Sequence, residues 1–141
     1  MFKDDLLAGK RILITGGGTG LGKAMTERYV ELGAHVIICG RRKNVLDDTA
    51  EEITQKMQRT NKPGSISTYA IDIRNPEAIE DMVNTIWADG PLHGLVNNAA
   101  GNFISRTEDL SPGGFNAITD IVMRGAFYLT DAIGKRWLNE G

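Results

Sequence analysis

Ile12-Leu13-Ile14-Thr15-Gly16-Gly17-Gly18-Thr19-Gly20-Leu21-Gly22 runs from an apolar stretch into a cluster of glycines and then into a helical pattern. The apolar run reads as a buried strand, and the glycines mark a turn that neither a strand nor a helix interior favours. Gly16, Gly20 and Gly22 give three things at once. They permit a sharp turn, let the backbone approach a bulky anion without a Cβ in the way, and allow the next helix to pack close to the sheet. The free N–H groups of that helix start then face a pyrophosphate.

Spacing separates this turn from two other phosphate-binding patterns. In G-x-G-x-x-G, a start at Gly16 and Gly18 requires a third glycine where this chain has Leu21. The triphosphate pattern fits from Gly17 to Lys23, but Ala24 stands where a Ser or Thr hydroxyl must hold magnesium. What remains is T-G-x-x-x-G-x-G, from Thr15 to Gly22.

Outward from this turn, short strand-type runs alternate with longer segments of helical period, the pattern of a parallel sheet covered on both faces. Leu21, Met25, Tyr29 and Leu32 form a stripe on the first helix, which Gly33 ends. Strand two is expected at Val36 to Cys39, followed by a helix with Leu46, Ala50, Ile53 and Met57 on its buried side. Strand three spans Ile66 to Ile71, and Asn75 with Pro76 opens a helix buried through Ile79, Met82, Val83 and Ile86. Strand four is Leu95 to Asn97. Ser111 caps a last helix carrying Phe115, Ile118, Val122, Leu129, Ile133 and Trp137. Residues 1–141 are read as one domain with strand order 3-2-1-4, and most methionines as core filling.

Composition narrows the function. The chain has 141 residues, 41% hydrophobic, and a formal net charge of −2, the balance of a globular protein and a poor match to one that tracks nucleic-acid phosphates. No apolar run is long enough to span a membrane, and the first residues lack the zones of a signal peptide, so a cytoplasmic location is expected. Cys39 has no cysteine partner and reads as a buried strand residue. His35 and His93 stand apart from other ligand types, so no metal site is expected.

A second motif, Asn97-Asn98-Ala99-Ala100-Gly101, follows strand four about 80 residues after the glycine turn. Together the two motifs resemble the short-chain dehydrogenase/reductase family, a Rossmann-like doubly wound fold binding NAD(P). The resemblance implies cofactor contacts from Thr15, Gly16, Gly18, Thr19, Gly20, Leu21 and Gly22, and from Asn98, Ala99, Ala100 and Gly101. It also implies contact from Asp72 and Ile73, matching the family's D-[IV] pair at the adenine. At the end of strand two, where an acidic residue would accept hydrogen bonds from the ribose of NAD, this chain has Gly40, followed by Arg41, Arg42 and Lys43. A guanidinium suits a 2′-phosphate, and three cations at a helix start oppose its dipole unless an anion compensates them. Arg41 and Arg42 therefore indicate NADP(H).

A narrower resemblance covers Asn97 to Pro112 and extends through Gly125-Ala126-Phe127 to Ile133-Gly134-Lys135. It is similar to the 2,4-dienoyl-CoA reductases, and it implies that Asn102 is catalytic and that Phe103 also contacts substrate. A fixed amide N–H at Asn102 would stabilise charge developing on a thioester oxygen during hydride addition. Val122 stands where many family members have a catalytic Asn, which the dienoyl-CoA reductases also lack, and Arg124 stands where close relatives often have Asn. The family's active-site Ser, Tyr and Lys lie downstream of Gly141 in relatives, so the chain corresponds to the cofactor half, and the half alone is expected to be inactive. An acyl-CoA or carbonyl compound is the implied small-molecule substrate, and a homo-oligomer the implied assembly. Two alternatives remain: an alcohol/carbonyl dehydrogenase of the 3-oxoacyl type, and a non-catalytic nucleotide-binding fragment.

Overall fold

Residues 2–101 and 104–140 are described by the computed structural model; Asn102 and Phe103 lie outside the described residues. The order is β1 (Arg11–Thr15), α1 (Gly20–Glu31), β2 (His35–Gly40), α2 (Lys43–Thr60), β3 (Ser65–Ala70), α3 (Pro76–Ala88) and β4 (Gly94–Val96). A short 3-10 turn, Thr107–Asp109, leads to α4 (Pro112–Thr119), a π-helical segment (Asp120–Gly125) and α5 (Ala126–Glu140). The four strands are parallel in the order β3-β2-β1-β4, as expected from the alternating pattern.

Strand residues alternate between two apolar clusters, one on each face of the sheet. Leu13, Ile37 and Cys39 face α3 and α5, where they meet Ile79, Met82, Val83, Ile86, Leu129 and Ile133. Ile14, Val36 and Ile38 face α1 and α2, where they meet Val30, Leu46, Ile53 and Met57. Each fully buried Leu or Ile contributes roughly 1.5–3 kcal/mol of transfer free energy. Both faces of β1 and β2 are thus held, and the strand ends that carry the glycine turn are fixed from above and below.

Strand limits move by a residue from those expected: β2 gains His35 and Gly40, β3 is Ser65–Ala70, and β4 is Gly94–Val96. The first helix bears out part of the expected stripe: Leu32, its C-cap, is buried, and Met25 and Tyr29 pack half-buried against the core. Its buried residues are Gly22, Thr26 and Val30, while Leu21 is 79% exposed. Tight contact with the sheet selects the smallest side chains, which a hydrophobicity pattern does not score. On α2, Leu46, Ile53 and Met57 are buried as expected, and Thr49 is buried where Ala50 was expected, Ala50 being only partly covered.

The last helix is also not the single amphipathic rod expected. Asp120–Gly125 is π-helical, which places an extra residue in the turn and shifts the phase between α4 and α5. Leu129 and Ile133 are buried as expected, but Phe115, Val122 and Trp137 are exposed, and Met123 leaves the core-filling role assigned to most methionines. Gly125 sits where a Cβ would come within 2.7 Å of Ile73, so this segment lies directly on the loop after β3.

Candidate functional site

The ends of β1, β2 and β4, the loop after β3, and the first turns of α1 and α2 enclose a cleft of about 390 Å³. Most of the residues singled out in the sequence line it: Gly16, Gly18, Thr19, Gly20, Leu21, Arg41, Arg42, Asp72, Ile73, Asn98, Ala99 and Ala100. Such a volume lies in the range of ordinary ligand clefts, roughly 300–1,000 Å³.

Thr15 and Gly22 are buried beneath this wall, and Gly101, half-buried, is not part of it. Thr15 is 1% exposed, and its Oγ1 accepts hydrogen bonds from the N–H groups of Asn98 (3.0 Å) and Ala99 (2.8 Å). Asn98 Nδ2 donates in return to the carbonyls of Thr15 (3.1 Å) and Gly16 (3.3 Å). These four bonds fasten the Asn-Asn-Ala-Ala-Gly segment to the glycine turn. Gly16 and Gly20 take positive φ values of 64° and 53°, a conformation that costs other L residues energy. Gly22 permits close approach: a Cβ there would stand 2.1 Å from the Gly16 carbonyl oxygen.

Helix ends around the cleft differ from those elsewhere. Neither α1 nor α2 has a side-chain cap or an acidic residue in its first turn. By contrast, α3 is capped by Asn75, which accepts from the N–H groups of Glu77 and Ala78, and α4 is capped by Ser111. An uncapped helix start leaves N–H donors and partial positive charge available to an anion.

The cations at the second of these starts also divide. Lys43 is paired with Asp47, whose other oxygen accepts from Thr68 Oγ1 at 2.9 Å. Those hydrogen bonds from Lys43 and Thr68 hold the Asp47 carboxyl below its ordinary range. Among the described residues, no ion pair engages Arg41 or Arg42. Both are exposed at the cleft.

On the opposite rim Asp72 accepts from Arg74 through Nε (2.9 and 3.1 Å), a terminal nitrogen (2.6 Å) and the backbone N–H (3.0 Å). The Arg74 side chain, then its backbone N–H and charge, with a smaller effect of Arg41, lower the Asp72 pKa to about 2. Arg124 pairs with Asp120 at 3.0 Å inside the π-helical segment. Among the described residues, no group of three His, Cys, Asp or Glu is arranged to hold a metal ion.

Cys39, Gly40, Val45, Leu46, Ile71 and Ile121 also line the cleft. Gly40 and Leu46 were legible, one as the strand-end position and the other as core. Val45, beside Leu46, carries no separate signal. Ile121 reaches the cleft from a segment whose π-helical turn breaks the period by which its direction would be inferred.

Glycine turn, uncapped helix starts and strand order together define a Rossmann-like α/β protein. Residues 10–141 match the family model described as short chain dehydrogenase, and the chain belongs to that family. It is 44% identical to a probable 2,4-dienoyl-CoA reductase of Caenorhabditis elegans over 96% of its own length and 43% of the relative's. It is 39% identical to a probable 2,4-dienoyl-CoA reductase of Bacillus subtilis, over 93% of this chain and 50% of the relative. The chain thus spans about half the length of these curated relatives. A solved structure, a citronellol catabolism dehydrogenase of Pseudomonas aeruginosa, superposes with a TM-score of 0.86 at 34% identity, covering 96% of this chain and 54% of that one. The family consists of oxidoreductases that use nicotinamide cofactors.

Proposed function

We propose that this chain is the cofactor-binding part of an NADP(H)-dependent reductase acting on 2,4-dienoyl-CoA thioesters. The observation that carries the reading is that two guanidinium groups, Arg41 and Arg42, engaged in no ion pair among the described residues, stand at an acid-free, uncapped helix start. A 2′-phosphate supplies the anion that this arrangement lacks, through bidentate charge-assisted bonds. The pyrophosphate takes the N–H groups at the start of α1, and Asn98 keeps the turn in place through the carbonyls of Thr15 and Gly16.

When bound, NADPH supplies a hydride. In this reading Asn102 donates its side-chain N–H to the thioester oxygen, on which charge gathers as the conjugated system accepts that hydride, and Phe103 contacts the substrate. The names of the two relatives support the substrate class. They differ in the position of the product double bond, (3E) in one and (2E) in the other, so the proposal stops at the dienoyl thioester. None of Tyr29, Tyr69 and Tyr128 is followed by Lys four residues later. Residues 1–141 alone are therefore expected to bind nucleotide without turning substrate over. A homo-oligomer formed through the last helices fits the exposure of Phe115, Val122 and Phe127.

The test has two parts. NADPH is expected to bind at least roughly tenfold more tightly than NADH, and Arg41→Ala/Arg42→Ala to remove that preference. Equal affinity for the two nucleotides in the unaltered protein refutes the cofactor reading. With the complete reading frame, NADPH oxidation is followed with a 2,4-dienoyl-CoA and with a 3-oxoacyl-CoA. Turnover of the second substrate alone favours ordinary carbonyl chemistry, a reading supported by the likeness to the citronellol catabolism dehydrogenase.

A further inference from the structure

Besides Thr15, two buried threonine hydroxyls lie behind the glycine turn, and one of them comes from the helix that carries the other half of the cleft. Thr26 on α1 donates to the Gly22 carbonyl at 2.8 Å, the local back-bond to the residue four positions earlier, and only weakly to Gly17 at 3.4 Å. Thr49 does something different. It is 4% exposed, lies on the buried side of α2, and donates to the Gly18 carbonyl at 2.8 Å, across 31 residues of sequence.

That bond fixes the plane of one peptide. In a trans peptide the carbonyl and the following N–H point in opposite directions. With the Gly18 carbonyl drawn inward to Thr49, the Thr19 N–H is directed away from α2, and both Gly18 and Thr19 line the cleft. Contact reinforces the tie. A Cβ on Gly18 would stand 3.3 Å from both Leu46 Cδ2 and Val45 Cγ1, so this part of the turn rests on the first turns of α2. The same helix follows directly from Arg41 and Arg42.

We propose that Thr49 is a positioning residue for phosphate binding, holding the Gly18–Thr19 peptide in its anion-facing plane. The proposal rests on the nucleotide-binding reading above. Its mechanism is static: without the hydroxyl, the Gly18 carbonyl is a buried acceptor lacking its donor, and the peptide is free to rotate toward water.

The experiment is titration of the protein with NADPH, NADH and adenosine 2′-phosphate, using Thr49→Val, Thr49→Ala and Thr49→Ser. Thr49→Val is expected to weaken both dinucleotides by roughly tenfold, the effect of losing about one hydrogen bond to a charged group. Adenosine 2′-phosphate, which has no pyrophosphate, is expected to stay within about twofold, and Thr49→Ser to restore dinucleotide binding. Thr49→Ala removes the donor without placing a methyl against the carbonyl, so it stands in if the valine variant does not fold. Unchanged dinucleotide affinity in a folded Val or Ala variant overturns the proposal, as does equal loss for all three ligands or failure of Ser to rescue. If the unaltered protein binds NADH as well as NADPH, the arginine reading fails, and the dinucleotide series still tests Thr49.

Discussion

Gly22→Ala adds one methyl group, and the structure states what it meets. The new carbon would stand 2.1 Å from the Gly16 carbonyl oxygen and 2.6 Å from Asn98 Nδ2. Gly16 cannot retreat easily, because its N–H donates to the Cys39 carbonyl at 2.8 Å, its carbonyl accepts from Asn98 Nδ2 at 3.3 Å and its φ of 64° belongs to a committed turn. Relief requires α1 to move by about 1 Å, away from a sheet that it contacts through its smallest side chains. Overpacking of this kind costs about 1–3 kcal/mol, and for a chain of this length it lowers Tm by roughly 3–10 °C. The same movement spoils the donor geometry of Asn98 and displaces the N–H groups at the start of α1. NADPH affinity is therefore expected to fall along with stability. Gly134→Ala is the internal control, since a Cβ there has nothing within 4 Å and the residue lies inside α5. It is expected to raise stability by about 0.5–1 kcal/mol through helix propensity. Thermal unfolding by circular dichroism, followed by NADPH titration of each variant, measures both effects. A Gly22→Ala protein as stable as the parent and with its NADPH affinity would refute the close-approach argument.

Two further outcomes follow from charge and burial. Asp72 titrates at about 2 in the folded protein, below its ordinary 3.8, chiefly because the Arg74 side chain donates to it. A depressed folded pKa stabilises the fold above the unfolded value, so this contribution is full above about pH 4 and declines as pH falls toward 2. Carboxyl-resolved NMR titration is expected to move the Asp72 midpoint back toward 3.8 in Arg74→Met, and an unmoved midpoint rejects Arg74 as the cause. Cys39 is fully buried in β2, and burial pushes its thiol up to about 12. A thiol-specific disulfide reagent in mildly alkaline buffer is expected to leave the native protein unlabelled and to label it fully in denaturant. Native labelling at the rate of a free cysteine contradicts that burial.

Much of this architecture was legible because the parallel sheet makes simple demands. Strands buried on both faces need continuous apolar runs, and Val36 to Cys39 supplies one. The α3 stripe of Ile79, Met82, Val83 and Ile86 was read residue for residue, since its buried positions are all large and apolar. The α1 stripe was legible only in part: Met25, Tyr29 and Leu32 pack on the core, but the closest contact with the turn uses Gly22 and Thr26, while Leu21 turns to the cleft. The last helix was misread for a related reason. A periodicity argument assumes a constant number of residues per turn, and the π-helical segment at Asp120–Gly125 breaks that assumption midway. In the site, the glycines and Arg41 announced themselves by type and spacing. Thr49 did not, because a threonine in a helix gives no sign that its hydroxyl reaches a turn 31 residues away.

With the starts of α1 and α2 uncapped, an anion bound as proposed above would complete the secondary structure of its own receptor. Helices that lack internal partners for their first N–H groups are less stable alone than capped ones, and a ligand that binds only the folded chain returns that deficit by mass action. A hundredfold excess over the dissociation constant adds about 2.7 kcal/mol. On the nucleotide-binding reading proposed above, the stability of the chain rises with the concentration of its nucleotide, and the midpoint of its unfolding moves with it.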